Sequence, residues 1–520
     1  MPIRQDHATE PSNAVPASTG IEGLDRILRG GLPRDEMHLI QGASGTGKTT
    51  LALQYLLAGA GAGESGLYIT LSQTRKGLEA IARSHGWSLE GLTVHELLPG
   101  DLVDNLAEHQ TVLHTAEVEL GELTRALRRL VEQVQPRRLV FDSIGVIRLL
   151  AGSPARYRRE IVTLRRYLAG RGCTALFIAD SPVEAEPEGP DITEFHALAT
   201  SLIHLEQTAL DYGEVRRRVR VIKVRGVPFQ GGYHNFRIAT GGLEIYARLG
   251  PPPDAEYTDF RPVRSGIEPL DKLLGGGLDK GTACLVIGAP GTGKSTLAAL
   301  YARAAARDGD GAAIFLFEER PETFKARSQG VGIDLQPHLD SGRISIRQLR
   351  TAELSPGEFA QRVAKAVTDE GARVLVIDSL TGYFNAMGNT PMLAIQIHEL
   401  LNFLSRRGVL TILVVTQEGF MSVGSRPAVD VSYLSDSIIL LRMFEASGEI
   451  RRCLSAIKKR QGEHETTIRE LFIRPGSVSI GEEPLRQFHG VLSGDPEVIG
   501  GGPRRRRGGA EAGEEEELGG

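Results

Sequence analysis

The sequence predicts an α/β protein of two tandem domains, each a doubly wound, mostly parallel sheet flanked by helices. Three observations predict it. A glycine-rich phosphate-loop signature occurs twice, the sequence around each copy repeats, and apolar runs of strand length alternate with helical segments. At 520 residues the chain is too long for one ordinary domain and suits two large ones.

The opening residues, 1–15, are polar and lack the apolar stretch of a secretory signal, so they read as a flexible N-terminus. The first domain is expected over 16–247. It begins with "TGIEGLDRILRGGL" (Thr19–Leu32), which returns almost position by position as "SGIEPLDKLLGGGL" (Ser265–Leu278). Next, "HLIQG" and "CLVIG" read as strands that run into the two phosphate loops, and the segments starting at Thr49 and Ser295 read as the helices that leave them. The runs "GLYITLS", "RLVFDS" and "TALFIAD" in the first repeat, with "AAIFLFEE", "VLVIDS" and "LTILVVTQ" in the second, read as buried parallel strands.

Lys48 and Lys294 stand 246 positions apart, as do Gly20 and Gly266, whereas Asp142 and Asp378 stand 236 apart. "VIKVRG" and "AIKKRQ" then align at a spacing of 235. Four anchors in one order make a tandem duplication with a short deletion in the second copy. Between the copies, 248–260 holds three consecutive prolines and reads as a linker, and the second domain is expected over 261–490. The segment 491–520 ends in an Arg block and a Glu block with little to bury, which predicts a disordered tail.

The balance of charge, −5, argues against nucleic acid as a general partner. No apolar run is long enough for a membrane helix, and the three cysteines lack metal-ligand or Cys-x-x-Cys spacing, so a soluble, cytoplasmic protein with reduced core thiols is expected.

The phosphate loops carry the chemistry. Gly42–Thr49 and Gly288–Ser295 both have the form Gly-x-x-x-x-Gly-Lys-[Ser/Thr] between a predicted strand and a predicted helix. This context points to ATP with Mg²⁺: backbone N–H groups cradle phosphate, the lysine reaches the β and γ phosphates, and the hydroxyl binds the cation. The ATP-binding set is Gly45, Thr46, Gly47, Lys48, Thr49 and Thr50 in one copy, and Gly291, Thr292, Gly293, Lys294, Ser295 and Thr296 in the other. Asp142 and Asp378 end strands where a carboxylate can reach the cation beside Thr49 and Ser295, the bland alternative being a helix cap.

At one further position the repeats diverge. The second carries Glu318 and Glu319, candidates for the catalytic base beside Lys294, where the first carries Ser72 and Gln73. A glutamate can take a proton from an attacking water or hydroxyl; serine and glutamine are no comparable bases at neutral pH. The alternative for the acidic pair is a solvated helix start. Lys223, Arg225, Lys458 and Arg460, taken alone, read as an exposed basic strand edge.

Taken together, the ordered set of "STGIEGLD", paired phosphate loops, an acidic pair after the second strand of the second repeat, and "IKxR" segments resembles the KaiC family of cyanobacterial clock ATPases and their relatives, over roughly residues 16–498. The resemblance implies two RecA-like P-loop NTPase domains, a homo-hexameric ring with ATP between subunits, and contact of Lys223, Arg225, Lys458 and Arg460 with a neighbour's triphosphate. It also implies autophosphorylation in the second domain. There Ser432 matches the family's serine, but Tyr433 stands where the clock proteins have threonine, and Pro427 and Ala428 replace polar residues. Ser432 is the leading phosphoacceptor, and Tyr433 and Ser435 are further candidates. With Ser72 and Gln73 in place of acids, the first domain is expected to bind nucleotide and hydrolyse it poorly. "ARSHGW" (82–87) resembles the family's nucleotide-side segment, and "FHGVLSGDPEVIG" resembles the regulated C-terminal segment, through which signalling partners are possible.

Two other classes share these loops. A RecA-type DNA-dependent ATPase would need a basic surface with interleaved aromatics, for which "EVRRRVRVIKVRG" (214–226) is the one candidate stretch, and aromatics are only 5% of the chain. A nucleotide-gated scaffold would assemble with ATP and release no phosphate.

Overall fold

The computed structural model describes residues 15–97, 115–180, 193–209, 215–250, 261–350, 352–387, 391–417, 432–446, 448–486, 488–491 and 497–498. The segment 418–431 with Pro427 and Ala428, and most of 1–15, 248–260 and the expected tail 491–520, lie outside the described residues. The chain divides into two compact units, Met1–Gly250 with Ala352–Arg362, and Pro251–Thr351 with Val363–Gly520.

The strands of the first unit are β1 (Met37–Gly42), β2 (Gly66–Thr70), β3 (Leu92–Glu96), β4 (Arg138–Asp142), β5 (Thr174–Asp180), β6 (Ser201–Thr208), β7 (Arg216–Val224), β8 (Tyr233–Ala239) and β9 (Gly242–Tyr246). They form one sheet in the order β3-β2-β4-β5-β1-β6-β7-β8-β9. Pairing is parallel from β3 to β6 and antiparallel from β6 to β9.

The second unit repeats this plan with β10 (Ala283–Gly288), β11 (Gly311–Leu316), β12 (Ile344–Gln348), β13 (Ala372–Asp378), β14 (Leu410–Thr416), β15 (Ser437–Ala446), β16 (Glu449–Lys459), β17 (Arg469–Arg474) and β18 (Ser477–Pro484). Its order is β12-β11-β13-β14-β10-β15-β16-β17-β18. All eight apolar runs read as parallel strands are strands, and β1, β2 and β4 are buried throughout, as two-faced burial under helices requires.

The antiparallel part of each sheet was not anticipated. β7 lies between β6 and β8, and β16 between β15 and β17. β8 pairs with β7 only over Arg217–Arg220 and β17 with β16 only over Arg452–Leu454, so Lys223 and Lys458 lie beyond those ladders. In "RRRVRVIKV" the alternate burial of Val219, Val221 and Val224 gives the two-residue period of a half-buried antiparallel strand.

The repeated opening motif is a structural clasp. Thr19 donates to Asp25 Oδ1 through both its amide and its hydroxyl, each at 2.7 Å, and the Ser265 amide donates to Asp271 Oδ1 at 2.7 Å. Leu24 and Ile27 in the first unit, and Leu270 and Leu273 in the second, enter the cores beneath the sheets.

Candidate functional site

Each phosphate loop leaves the C-terminal end of a central strand, β1 or β10. Parallel α/β sheets bind ligands at that end. Gly47 and Gly293 precede the helices Lys48–Gly61 and Lys294–Arg307 with φ of 99° and 104°, a conformation only glycine adopts freely. At the start of each loop a Cβ on Gly42 would lie 2.4 Å from the Leu205 carbonyl oxygen, and one on Gly288 would lie 2.6 Å from that of Leu441. The signature glycines are therefore fixed by backbone geometry.

Both helices begin without a side-chain cap and without an acidic residue in the first turn. Their first N–H groups stay open to an anion. Lys48 Nζ donates to the Gly42 and Ala43 carbonyls, both at 2.8 Å, and Lys294 Nζ donates to Ala289 at 2.8 Å, so each lysine curls back over its loop. Thr46 and Thr292 brace the turns, each by a 2.8 Å hydrogen bond to the loop's second residue. Uncapped N–H groups, a curled lysine, a hydroxyl (Thr49 or Ser295) and one strand-end carboxylate fit an oligophosphate with a divalent cation. Among the described residues no cluster of three or more His, Cys, Asp or Glu could hold a metal by itself. Mg²⁺ coordinated chiefly by phosphate and water suits that donor set.

Asp142 is buried and accepts a 2.7 Å hydrogen bond from the Tyr68 hydroxyl, a residue the sequence reading had not singled out. Burial pushes the Asp142 carboxyl above its usual range against this hydrogen bond. Asp378 is likewise raised by burial, opposed first by a hydrogen bond from the Ser295 hydroxyl. A cation there would favour the ionised forms. In the second unit the cap function belongs to Ser379, whose Oγ accepts from the Gly382 amide at 2.9 Å.

The acidic pair separates into two environments. Arg327 grips Glu319 with two donors at 3.2 and 2.7 Å. Glu318 is exposed and has no hydrogen-bond or ion-pair partner among the described residues. Burial lowers the Lys294 pKa, while the charges of Asp378 and Glu318 oppose that shift. In the first unit the corresponding Gln73 donates its amide to Thr49 Oγ1 at 3.1 Å, and Ser72 lies in the turn beside it.

The basic residues lie elsewhere. Lys223 stands opposite Leu202 near the start of β6, and Lys458 opposite Ile438 near the start of β15. These are the ends of the sheets away from each unit's own loop. Lys223 and Arg225 donate to the His196 and Ala197 carbonyls; Lys458 donates to Ser435 at 2.7 Å and Arg460 to Asp436 at 3.3 Å. Ser432, Tyr433 and Leu434 form a 3₁₀ turn at the same end, with Tyr433 exposed and Ser435 buried. "ARSHGW" packs against the β8–β9 turn, where His85 Nδ1 meets the Ala239 carbonyl at 2.9 Å.

The chain matches the family described as "ATPase: KaiC" over residues 17–250 and again over 263–484. The chain belongs to the KaiC ATPase family. It is 27% identical over 502 residues to the circadian clock oscillator protein KaiC of Thermostichus vulcanus, covering 95% of each chain. It is 28% identical over 490 residues to the circadian clock protein KaiC3 of a Synechocystis species (92% of this chain, 94% of the other), and 26% identical over 480 to KaiC of Synechococcus elongatus (92% and 91%). Both KaiC domains, with their α/β folds and paired loops, are thus present in one chain, and family membership implies ATP binding. Among the described residues no helix is long and apolar enough to cross a membrane.

Proposed function

We propose that this KaiC-family chain is a Mg²⁺-dependent ATPase and Ser/Thr autokinase that works as a hexameric ring, with chemistry concentrated in the second unit and the first acting mainly as an ATP-holding scaffold. The observation that carries this reading is the grouping of Lys294, Asp378 and the unpartnered Glu318 at the second loop. In the first unit Ser72 stands at the position of Glu318 and Gln73 at that of Glu319, its amide already engaged with Thr49.

In this reading Lys294 and the open helix N–H groups hold the phosphates, and Ser295 with Asp378 holds the cation. Glu318 accepts the proton of the attacking water or serine. Mg²⁺ supplies charge neutralisation on the transferring phosphoryl group.

The position of Ser432, Lys458 and Arg460 supports transfer between subunits. They lie at the end of β15 and β16 away from their own loop, and a strand of six residues such as β10 spans roughly 16 Å. A group there is better placed for a neighbour's triphosphate than for its own, and the same holds for Lys223 and Arg225.

The test is incubation of the full chain with γ-labelled ATP, followed by intact-mass and peptide analysis of wild type and Glu318→Gln. Label is expected on the peptide carrying Ser432, with phosphate release from the second site reduced about 10²- to 10⁴-fold in the variant. Label that persists in Glu318→Gln removes Glu318 as the base, and absence of label from wild type removes the autokinase.

A further inference from the structure

In the first unit a carboxylate stands at a strand end where the second unit has none. Asp180 ends β5, the strand between β4 with its Asp142 and β1 with the phosphate loop, and lies opposite Gly42 in the register. At the matching place in the second unit, opposite Gly288, stands Thr416. Asp180 Oδ1 lies 2.9 Å from Lys48 Nζ, and its side chain is 70% exposed while that of the lysine is 8% exposed. It therefore reaches the buried lysine of the loop and still faces water. Its charge also contributes to the raised pKa of Asp142, which ends the neighbouring strand β4.

We propose that Asp180 is the water-orienting general base of the first ATP site, supplied from β5 where the second site draws its base from the end of β11. This rests on the reading above, in which the first unit holds ATP and turns it over slowly. The phosphate-loop lysine contacts β and γ phosphate oxygens, so a carboxylate within hydrogen-bond distance of its ammonium lies about one water away from the γ phosphorus. The water oxygen bonds to that phosphorus as the bond from phosphorus to the β–γ bridging oxygen breaks. The bridging oxygen leaves on ADP with the electron pair, and the water proton passes to Asp180 and from there to solvent. Gln73, held on Thr49 by its amide, can orient groups in this site but cannot take that proton.

The test uses the full chain carrying Lys294→Ala, which removes nucleotide from the second site. Phosphate release and binding of a fluorescent ATP analogue are measured with and without Asp180→Asn and Asp180→Glu. The Lys294→Ala chain should release phosphate slowly. Adding Asp180→Asn should cut that release about tenfold or more at unchanged binding, and Asp180→Glu should keep part of it. An unchanged rate with Asp180→Asn overturns the proposal. So does a faster rate or tighter binding, which would make Asp180 a counter-ion that holds Lys48 away from phosphate. So does a Lys294→Ala chain that releases no phosphate. If instead Lys294→Ala leaves total hydrolysis and Ser432 labelling intact, the assignment of the main chemistry to the second unit fails, and the Asp180 comparison is still decided by its own rates.

Discussion

Among the described residues Arg138 is the largest side chain buried almost completely, 2% exposed, and it sits in a strand whose counterpart holds Val374. Its guanidinium pairs with Glu64, donates to the Ser18 and Tyr55 carbonyls at 2.6 and 2.8 Å, and lies over the Tyr55 ring. Burial alone would raise the Glu64 pKa, but Arg138 and Arg34 outweigh it and hold the carboxyl below its usual value. A depressed carboxylate adds stability that is complete above its unfolded pKa and is lost as pH falls through the folded one. Removing the arginine leaves Glu64 with Arg34 alone and takes a buried donor from the Ser18 and Tyr55 carbonyls. Arg138→Ala should destabilise the first unit by about 3–5 kcal/mol near neutral pH, with the deficit shrinking under acid, as chemical denaturation at a series of pH values would measure. The sequence did not disclose this role, because "RRLVFDS" looks like a strand with a solvated basic start. The three thiols, by contrast, are buried as expected, and burial pushes those of Cys173 and Cys453 up to about 12.

At the scale of elements, each phosphate loop depends on the parallel neighbour of its own strand, β6 or β15, from which the antiparallel half of the sheet begins. β15 passes so close to the first loop glycine that Gly288→Ala would drive a Cβ toward the Leu441 carbonyl, 2.6 Å away. This variant should lose about 1–3 kcal/mol of stability in the second unit and weaken nucleotide binding there, read by thermal unfolding with and without ATP. Eight of the parallel strands were legible as short apolar runs, whereas β3 and β12, at the sheet edges, were not, because "LTVHE" and "ISIRQ" mix polar and apolar residues. The later strands were not, since alternation of charge with valine suggests a surface before it suggests a pleat. Asp180 shows the same limit. The strand "TALFIAD" is plain in the sequence, but only register places its last residue beside Lys48. Glu318 was legible by comparing two copies at a fixed spacing, whereas the capture of Glu319 by Arg327 requires the turn of an intervening helix.

For the whole molecule, the proposed division of labour predicts unequal consequences of two equivalent substitutions. With ATP present, Lys48→Ala should abolish the hexamer in native mass spectrometry. Lys294→Ala should leave the hexamer and abolish most phosphate release and all labelling of Ser432. Equal effects would leave no reason to assign separate roles. The duplication itself was readable from four anchors. The size of the difference between the copies was not, because it resides in single side chains placed at matching strand ends.

The identical strand order of the two sheets has one more consequence. Each position in a strand of one unit has a sibling position with the same neighbours on either side, already occupied by a residue that folds there. Valine at 374 and threonine at 416 are therefore ready-made grafts for positions 138 and 180, and arginine and aspartate are the reciprocal ones. The chain carries its own donor library: exchanging residues between the twins separates what the architecture demands from what each site has made its own.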